Sequence, residues 1–146
     1  MYVHWEDALE LNNSLLDTQH RILMLLCRKL DVAIKTKQSD QFISLIIREL
    51  KKFTEFHFLS EEILMREIGY PELENHSMMH TDLLMQLDMM MVRIKNHKEF
   101  PGDLLYFLNK WLVQHLAKED LKIANFARNS EKRPIGEDLY NQYLLS

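Results

Sequence analysis

Two pairs of side chains of the kinds that bind metals flank a turn in the middle of this chain. His57 and Glu61 lie four residues apart, as do His76 and His80, and Gly69-Tyr70-Pro71 falls between the pairs. Positions four apart on an α-helix stand only about 40° apart around its axis. If each pair sits on a helix, its two donors face one way and can share a cation. The chemistry then depends on whether other helices bring further donors to the same level.

The elements that must do this are long helices. Only three glycines and three prolines occur in 146 residues, so turns are few, and nine methionines suit helices with adaptable cores. Residues 1–15 are expected to form an N-terminal arm packed through Trp5. Asp17 opens a helix to about Thr36, with His20, Leu23, Cys27, Leu30 and Ile34 inward at spacings of three and four. Ser39 is placed to cap a second helix, from about Asp40 to Ile68, whose inward face reads Phe42, Ile46, Leu50, Phe53, His57, Glu61, Leu64 and Ile68. Gly69 suits its C-cap. Pro71 suits the first turn of a third helix, to about Asn96, with Leu73, His76, His80, Leu83, Leu87, Met90 and Ile94 inward. Asp103 is the expected cap of a fourth helix, to about Ala127, with Leu105, Leu108, Leu112, His115, Ile123 and Phe126 inward. A charged linker from Arg128 to Gly136 precedes a short amphipathic helix, Glu137 to Leu145. Four long helices with short connections predict a single all-α domain over 1–146. Its architecture is an antiparallel up-down-up-down four-helix bundle over about 16–127, with a tail over 128–146.

Polar groups inside such a core must be paired or must bind something. All four inward faces carry them: His20 on the first helix, His57 and Glu61 on the second, His76 and His80 on the third, His115 on the fourth. With alternate helices antiparallel, all four sets fall toward the same end of the bundle. After His115 come two acids. In a regular helix Glu119 would share the His115 face and Asp120 would be turned away by roughly 140°. A local π-type distortion would reverse that preference.

Any one of these histidines alone reads more naturally as a hydrogen-bonded core residue. The set does not, because five buried imidazoles need partners that the sequence does not otherwise offer. Glu62 reads as a solvated residue paired with Arg66. His4 and His97 read as surface residues, and Cys27 as a small inert hydrophobe.

Five segments in order carry a resemblance to a known family: Leu16-Asp17-Thr18-Gln19-His20, His57-Phe58-x-x-Glu61-Glu62-x-x-Met65, Tyr70-Pro71, His76-x-x-x-His80, and Trp111-Leu112-x-x-His115-x-x-x-x-Asp120. Together, over roughly residues 3–123, the chain resembles the hemerythrins, in particular the bacterial single-domain kind. Hemerythrins are among the proteins from which the up-down bundle was described, so the two fold expectations are not independent. The resemblance implies seven metal ligands: His20, His57, Glu61, His76, His80, His115 and Asp120, the last in preference to Glu119. It implies two iron ions (Fe2+/Fe3+) with a bridging oxo or hydroxo group. His76, His80 and His115 would complete one iron. His20 and His57 would hold the other, leaving it one open position for reversible dioxygen binding. Leu23, Phe58, Trp111, Leu112 and Leu116 match the family's apolar oxygen pocket. One departure is Ile123, where the family often has a tyrosine, so any hydrogen bond from that hydroxyl is absent.

The remaining composition bounds the setting. A formal charge of -4 argues against a nucleic-acid surface. No apolar run approaches the ~20 residues of a membrane span, and the first ten residues do not read as a secretory signal. One cysteine allows no internal disulfide, so a reducing, cytoplasmic setting is expected, and a monomer is the default expectation. The leading function is oxygen storage, delivery or buffering, non-enzymatic, with dioxygen and a protein recipient as partners. A di-iron enzyme handling peroxide or nitric oxide, and an oxygen or redox sensor, are the alternatives on the same scaffold.

Overall fold

A computed structural model describes residues 9–143. Its elements are α1 (Ser14–Lys35), α2 (Asp40–Ile68), α3 (Leu73–Lys95), α4 (Pro101–His115), a π-helical turn (Leu116–Asp120), α5 (Leu121–Arg128) and α6 (Ile135–Tyr143). The π turn joins α4 to α5, so that together they form the fourth long helix. α1 packs against α2 and α4, α2 against α3, and α3 against α4, which closes the four-helix bundle. No strand occurs among the described residues, and no described helix is long and apolar enough to cross a membrane. The N-terminal arm through Trp5, His4, and the last residues of the tail lie outside the described residues.

Local chemistry sets the helix limits. Asn13, not Asp17, caps α1: its side-chain oxygen accepts from Leu16 N–H at 3.1 Å. The Asp17 carboxylate instead accepts from Leu11 and Asn13 N–H at 2.8 and 3.2 Å, folding the preceding segment back over the helix start. α2 has the limits expected, with Ser39 accepting from Phe42 N–H at 3.2 Å. Gly69 ends it at φ 69°, and Tyr70 N–H reaches back to Met65 C=O at 2.9 Å. Pro71 stands two residues before α3 rather than in its first turn, and Glu72 is the N-cap. α4 starts three residues earlier than expected, at Pro101, with Phe100 as N-cap. Asp103 is the third helical residue, and its carboxylate accepts from Phe100 N–H at 3.2 Å.

The inward faces are largely those expected, with Leu23, Cys27, Leu30, Ile46, Leu50, Leu64, Ile68, Leu83, Leu87, Leu105, Leu108, Leu112 and Ile123 all buried. Ile34, Phe53, Leu73, Met90, Ile94 and Phe126 are half-buried against them. Phe42 is a correction. It lies 46 % exposed on the outer face, and Ile43 begins the buried stripe instead. The tail returns to the bundle: α6 packs on α1, Ile135 N–H donates to Glu67 Oε2 at 3.1 Å, and Ser14 Oγ meets Asn141 Oδ1 at 2.5 Å.

Gly69 tests the turn between α2 and α3. A Cβ there would meet nothing closer than Lys132 Nζ at 3.9 Å, so the penalty is conformational and not steric crowding. Gly69→Ala is expected to lower unfolding free energy by about 1–2 kcal/mol in denaturant titration. Gly69→Asn should cost less, since asparagine tolerates the left-handed region.

Candidate metal centre

α1 presents His20, α2 presents His57 and Glu61, α3 presents His76 and His80, α4 ends at His115, and the π turn ends at Asp120. All seven side chains are buried and meet at one level of the bundle. The π turn decides the choice between the two acids after His115. With one extra residue in the turn, Asp120 comes onto the His115 face, while Glu119 turns outward to Lys122 Nζ at 3.5 Å. Plain-helix geometry, which favoured Glu119, fails here for that reason.

The two carboxylates divide their oxygens between two sets of imidazoles. Glu61 Oε1 lies 2.5 Å from His76 Nε2 and 3.0 Å from His80 Nε2, while Oε2 lies 3.2 Å from His57 Nε2 and 3.9 Å from His20 Nε2. Asp120 Oδ1 lies 2.9 Å from His115 Nε2 and 3.2 Å from His76 Nε2, while Oδ2 lies 3.0 Å from His20 Nε2. Two groups result, each able to hold a metal ion: Glu61, His76, His80, His115 and Asp120 in one, His20, His57, Glu61 and Asp120 in the other.

The cluster fits a bound cation. His20 Nε2, His80 Nε2, Glu61 Oε2 and Asp120 Oδ1 are buried and have no hydrogen-bond partner, despite neighbours near 3 Å. Burying polar atoms this way costs on the order of 1–3 kcal/mol each. Adjacent donors on an octahedral ion with bonds of about 2.1 Å stand about 3.0 Å apart. The observed spacings match that arrangement better than they match a hydrogen-bonded core.

An outer layer orients the rings. His57 Nδ1 meets Gln19 Oε1 at 2.7 Å, and the Gln19 amide donates to Ser60 Oγ at 2.9 Å and Tyr140 Oη at 2.6 Å. His80 Nδ1 meets Glu62 Oε2 at 3.2 Å, so Glu62 is not the solvated residue that its sequence position suggested. Phe58 stacks on His80 with centroids 3.7 Å apart, and Trp111 on His115 at 4.2 Å. Leu23, Phe58, Leu112 and Leu116 are buried, and Trp111 is half-buried. Gln19, Glu62 and Tyr140 were not singled out from the sequence as site residues. Gln19 and Glu62 stand beside His20 and Glu61 within the segments that carry the family resemblance, which was the signal available, and Tyr140 gave none. His97 is exposed as expected, and burial pushes the Cys27 thiol up to about 12, in keeping with an inert side chain.

Without a metal the cluster stores protons. Burial opposes charge on His20, but the Asp120 and Glu61 carboxylates beside it outweigh that and raise the imidazole to about 9. The same balance raises His76 to about 10. Burial would raise Glu61, yet its contacts with His20, His57, His76 and His80 hold it well below the usual range. Asp120 is also held low, by His115 and His20, against burial and the Glu61 charge. His57 is lowered by burial. A metal needs neutral imidazoles, so at pH 7.5 its uptake must expel the protons on His20 and His76. About two protons per chain are expected in a weakly buffered titration, with affinity rising until pH passes about 9–10. Uptake without proton release would contradict these pairings. Asp120→Asn should weaken binding far more than Glu119→Gln.

Comparison with known proteins agrees with this geometry. The chain matches the Hemerythrin HHE cation binding domain over residues 12–127. It is 29% identical over 132 residues to a bacteriohemerythrin of Campylobacter jejuni subsp. jejuni serotype O:23/36, covering 88% of this chain and 97% of that one. It is 28% identical over 121 residues to a bacteriohemerythrin of Stenotrophomonas maltophilia, covering 83% and 78%. A crystal structure of a hemerythrin mutant has the same fold, with a TM-score of 0.74 at 24% identity, covering 86% of this chain and 98% of that one. On the match over residues 12–127, the chain belongs to the hemerythrin family of cation-binding domains.

Proposed function

We propose that this protein binds dioxygen reversibly at a non-haem di-iron centre and stores, delivers or buffers oxygen in the cytoplasm without catalytic turnover. One observation carries the reading: Glu61 and Asp120 each turn one oxygen toward the three-histidine set and the other toward the two-histidine set. Under it both carboxylates would be shared between two irons. His76, His80 and His115 would hold one iron, and His20 and His57 would hold the other with one protein donor fewer. Five imidazoles and two carboxylates suit iron better than calcium or magnesium, which prefer oxygen shells. Seven donors also exceed the four of a structural zinc site. When bound, the iron pair supplies a ferrous centre able to take up dioxygen and exchange electrons with it.

The protein's own residues determine whether that uptake is reversible. Leu23, Leu112 and Leu116 are buried, and Phe58 and Trp111 stack on His80 and His115; together these apolar side chains would keep water, and therefore protons, off the centre. Gln19 Oε1 accepts from His57 Nδ1–H, which fixes the tautomer that leaves the Nε2 lone pair for the metal. Tyr140 and Ser60 hold the Gln19 amide in the orientation this requires. Glu62 orients His80 in the same way.

The direct test loads the protein with iron, reduces it without oxygen, then admits and removes air. A visible charge-transfer band should appear and then vanish. Irreversible oxidation with continuing oxygen consumption would favour an enzyme, and no band at all would exclude the iron assignment. His57→Ala should abolish the band while far-ultraviolet circular dichroism stays helical. Gln19→Leu is expected to weaken metal retention or oxygen binding by roughly 10- to 100-fold. Tyr140→Phe should have a smaller effect in the same direction.

A further inference from the structure

We propose that the outward face of α2 is a dimer interface, on which a second copy of this chain lays its own α2 antiparallel about a two-fold axis. Along that face Phe42, Leu45, Glu49, Lys52, Phe56, Leu59 and Ile63 recur at alternating spacings of three and four, the pattern of a coiled-coil seam. All seven are exposed, and the five apolar ones are 46–61 % exposed. No described residue covers them. Scattered apolar surface residues need no explanation, but Phe42 and Leu45 on one side of the Glu49 and Lys52 pair, and Phe56, Leu59 and Ile63 on the other, form two apolar clusters on one helical seam, which marks an interaction surface.

The occupant follows from charge. An antiparallel pairing of two α2 helices that sets Phe42 on Leu59 of the second copy, and Leu45 on its Phe56, also sets Glu49 on its Lys52. On one flank the same register brings Arg48 to its Glu55. The two-fold axis repeats each of these contacts, as an isologous interface requires. Lys52 and Arg48 have no ion-pair partner among the described residues, so their charge is available. Glu49 and Glu55 make only half-exposed pairs, with Lys29 at 2.9 Å and Lys51 at 3.4 Å. α3 also shows outward apolar residues, Met78, Met85, Met89 and Val92. The corresponding pairing of α3 sets Asp82 against Met85 with no cation to answer it, so α2 is the face that complements itself. The proposed interface departs from the monomer expected from the sequence alone.

Sedimentation velocity of the full, metal-loaded chain over a wide concentration range tests the proposal. The native chain should show a reversible dimer. Lys52→Glu and Glu49→Lys, each checked for helicity by circular dichroism, should each weaken association by roughly tenfold or more. The charge-swapped double variant should regain most of it, because the pair is intermolecular. Met85→Lys on α3 should leave association unchanged. A monomer at every concentration, a double variant that fails to recover, or a dimer abolished by Met85→Lys would each overturn the proposal.

Discussion

Two carboxylates buried among five imidazoles form the constraint on which the rest of this structure depends. Glu61 and Asp120 stand at most 2 % exposed at the side chain, with unpartnered oxygens pointing at ring nitrogens about 3 Å away. A core cannot hold such a cluster cheaply unless its charges are compensated. In the metal-free chain protons on His20 and His76 provide part of that compensation. A pair of divalent or trivalent cations would provide it more fully. The asymmetry of the proposed centre comes from counting: five rings around two shared carboxylates divide into three and two.

The bundle is arranged to meet that constraint from four directions. Each long helix brings donors to one level, and the Gly69 turn returns the chain so that the α2 and α3 pairs face each other. The π turn is the most informative local feature. It places Asp120 over His115 at the cost of regular hydrogen bonding, a distortion that makes sense only if the carboxylate is needed there. The tail takes part too. α6 lies outside the residues matched to the family, yet its Tyr140 steadies Gln19, which steadies His57.

Much of this was legible in the sequence because it is periodic. Hydrophobic spacing marked four helices and set the inward histidines apart, and Ser39 and Gly69 gave the limits of α2. Other features depend on contacts between distant residues. Nothing near Tyr140 indicates a partner 121 residues away, and Glu62 looked solvated because its partner sits on a different helix. Phe42 was placed on the inward period yet lies on the outer face, because the buried stripe runs through Ile43, Ile46, Ile47 and Leu50, one position further round the helix. The choice of Asp120 over Glu119 could not be made from helix geometry. It came from resemblance to the family, and the π turn supplies its physical reason.

Mössbauer spectroscopy of the iron-loaded, reduced, oxygen-free protein tests the central claim most directly. Two irons per chain, in two ferrous environments of equal abundance but different coordination, are expected from the three-and-two division of histidines. A single iron per chain, or two equivalent sites, would contradict it.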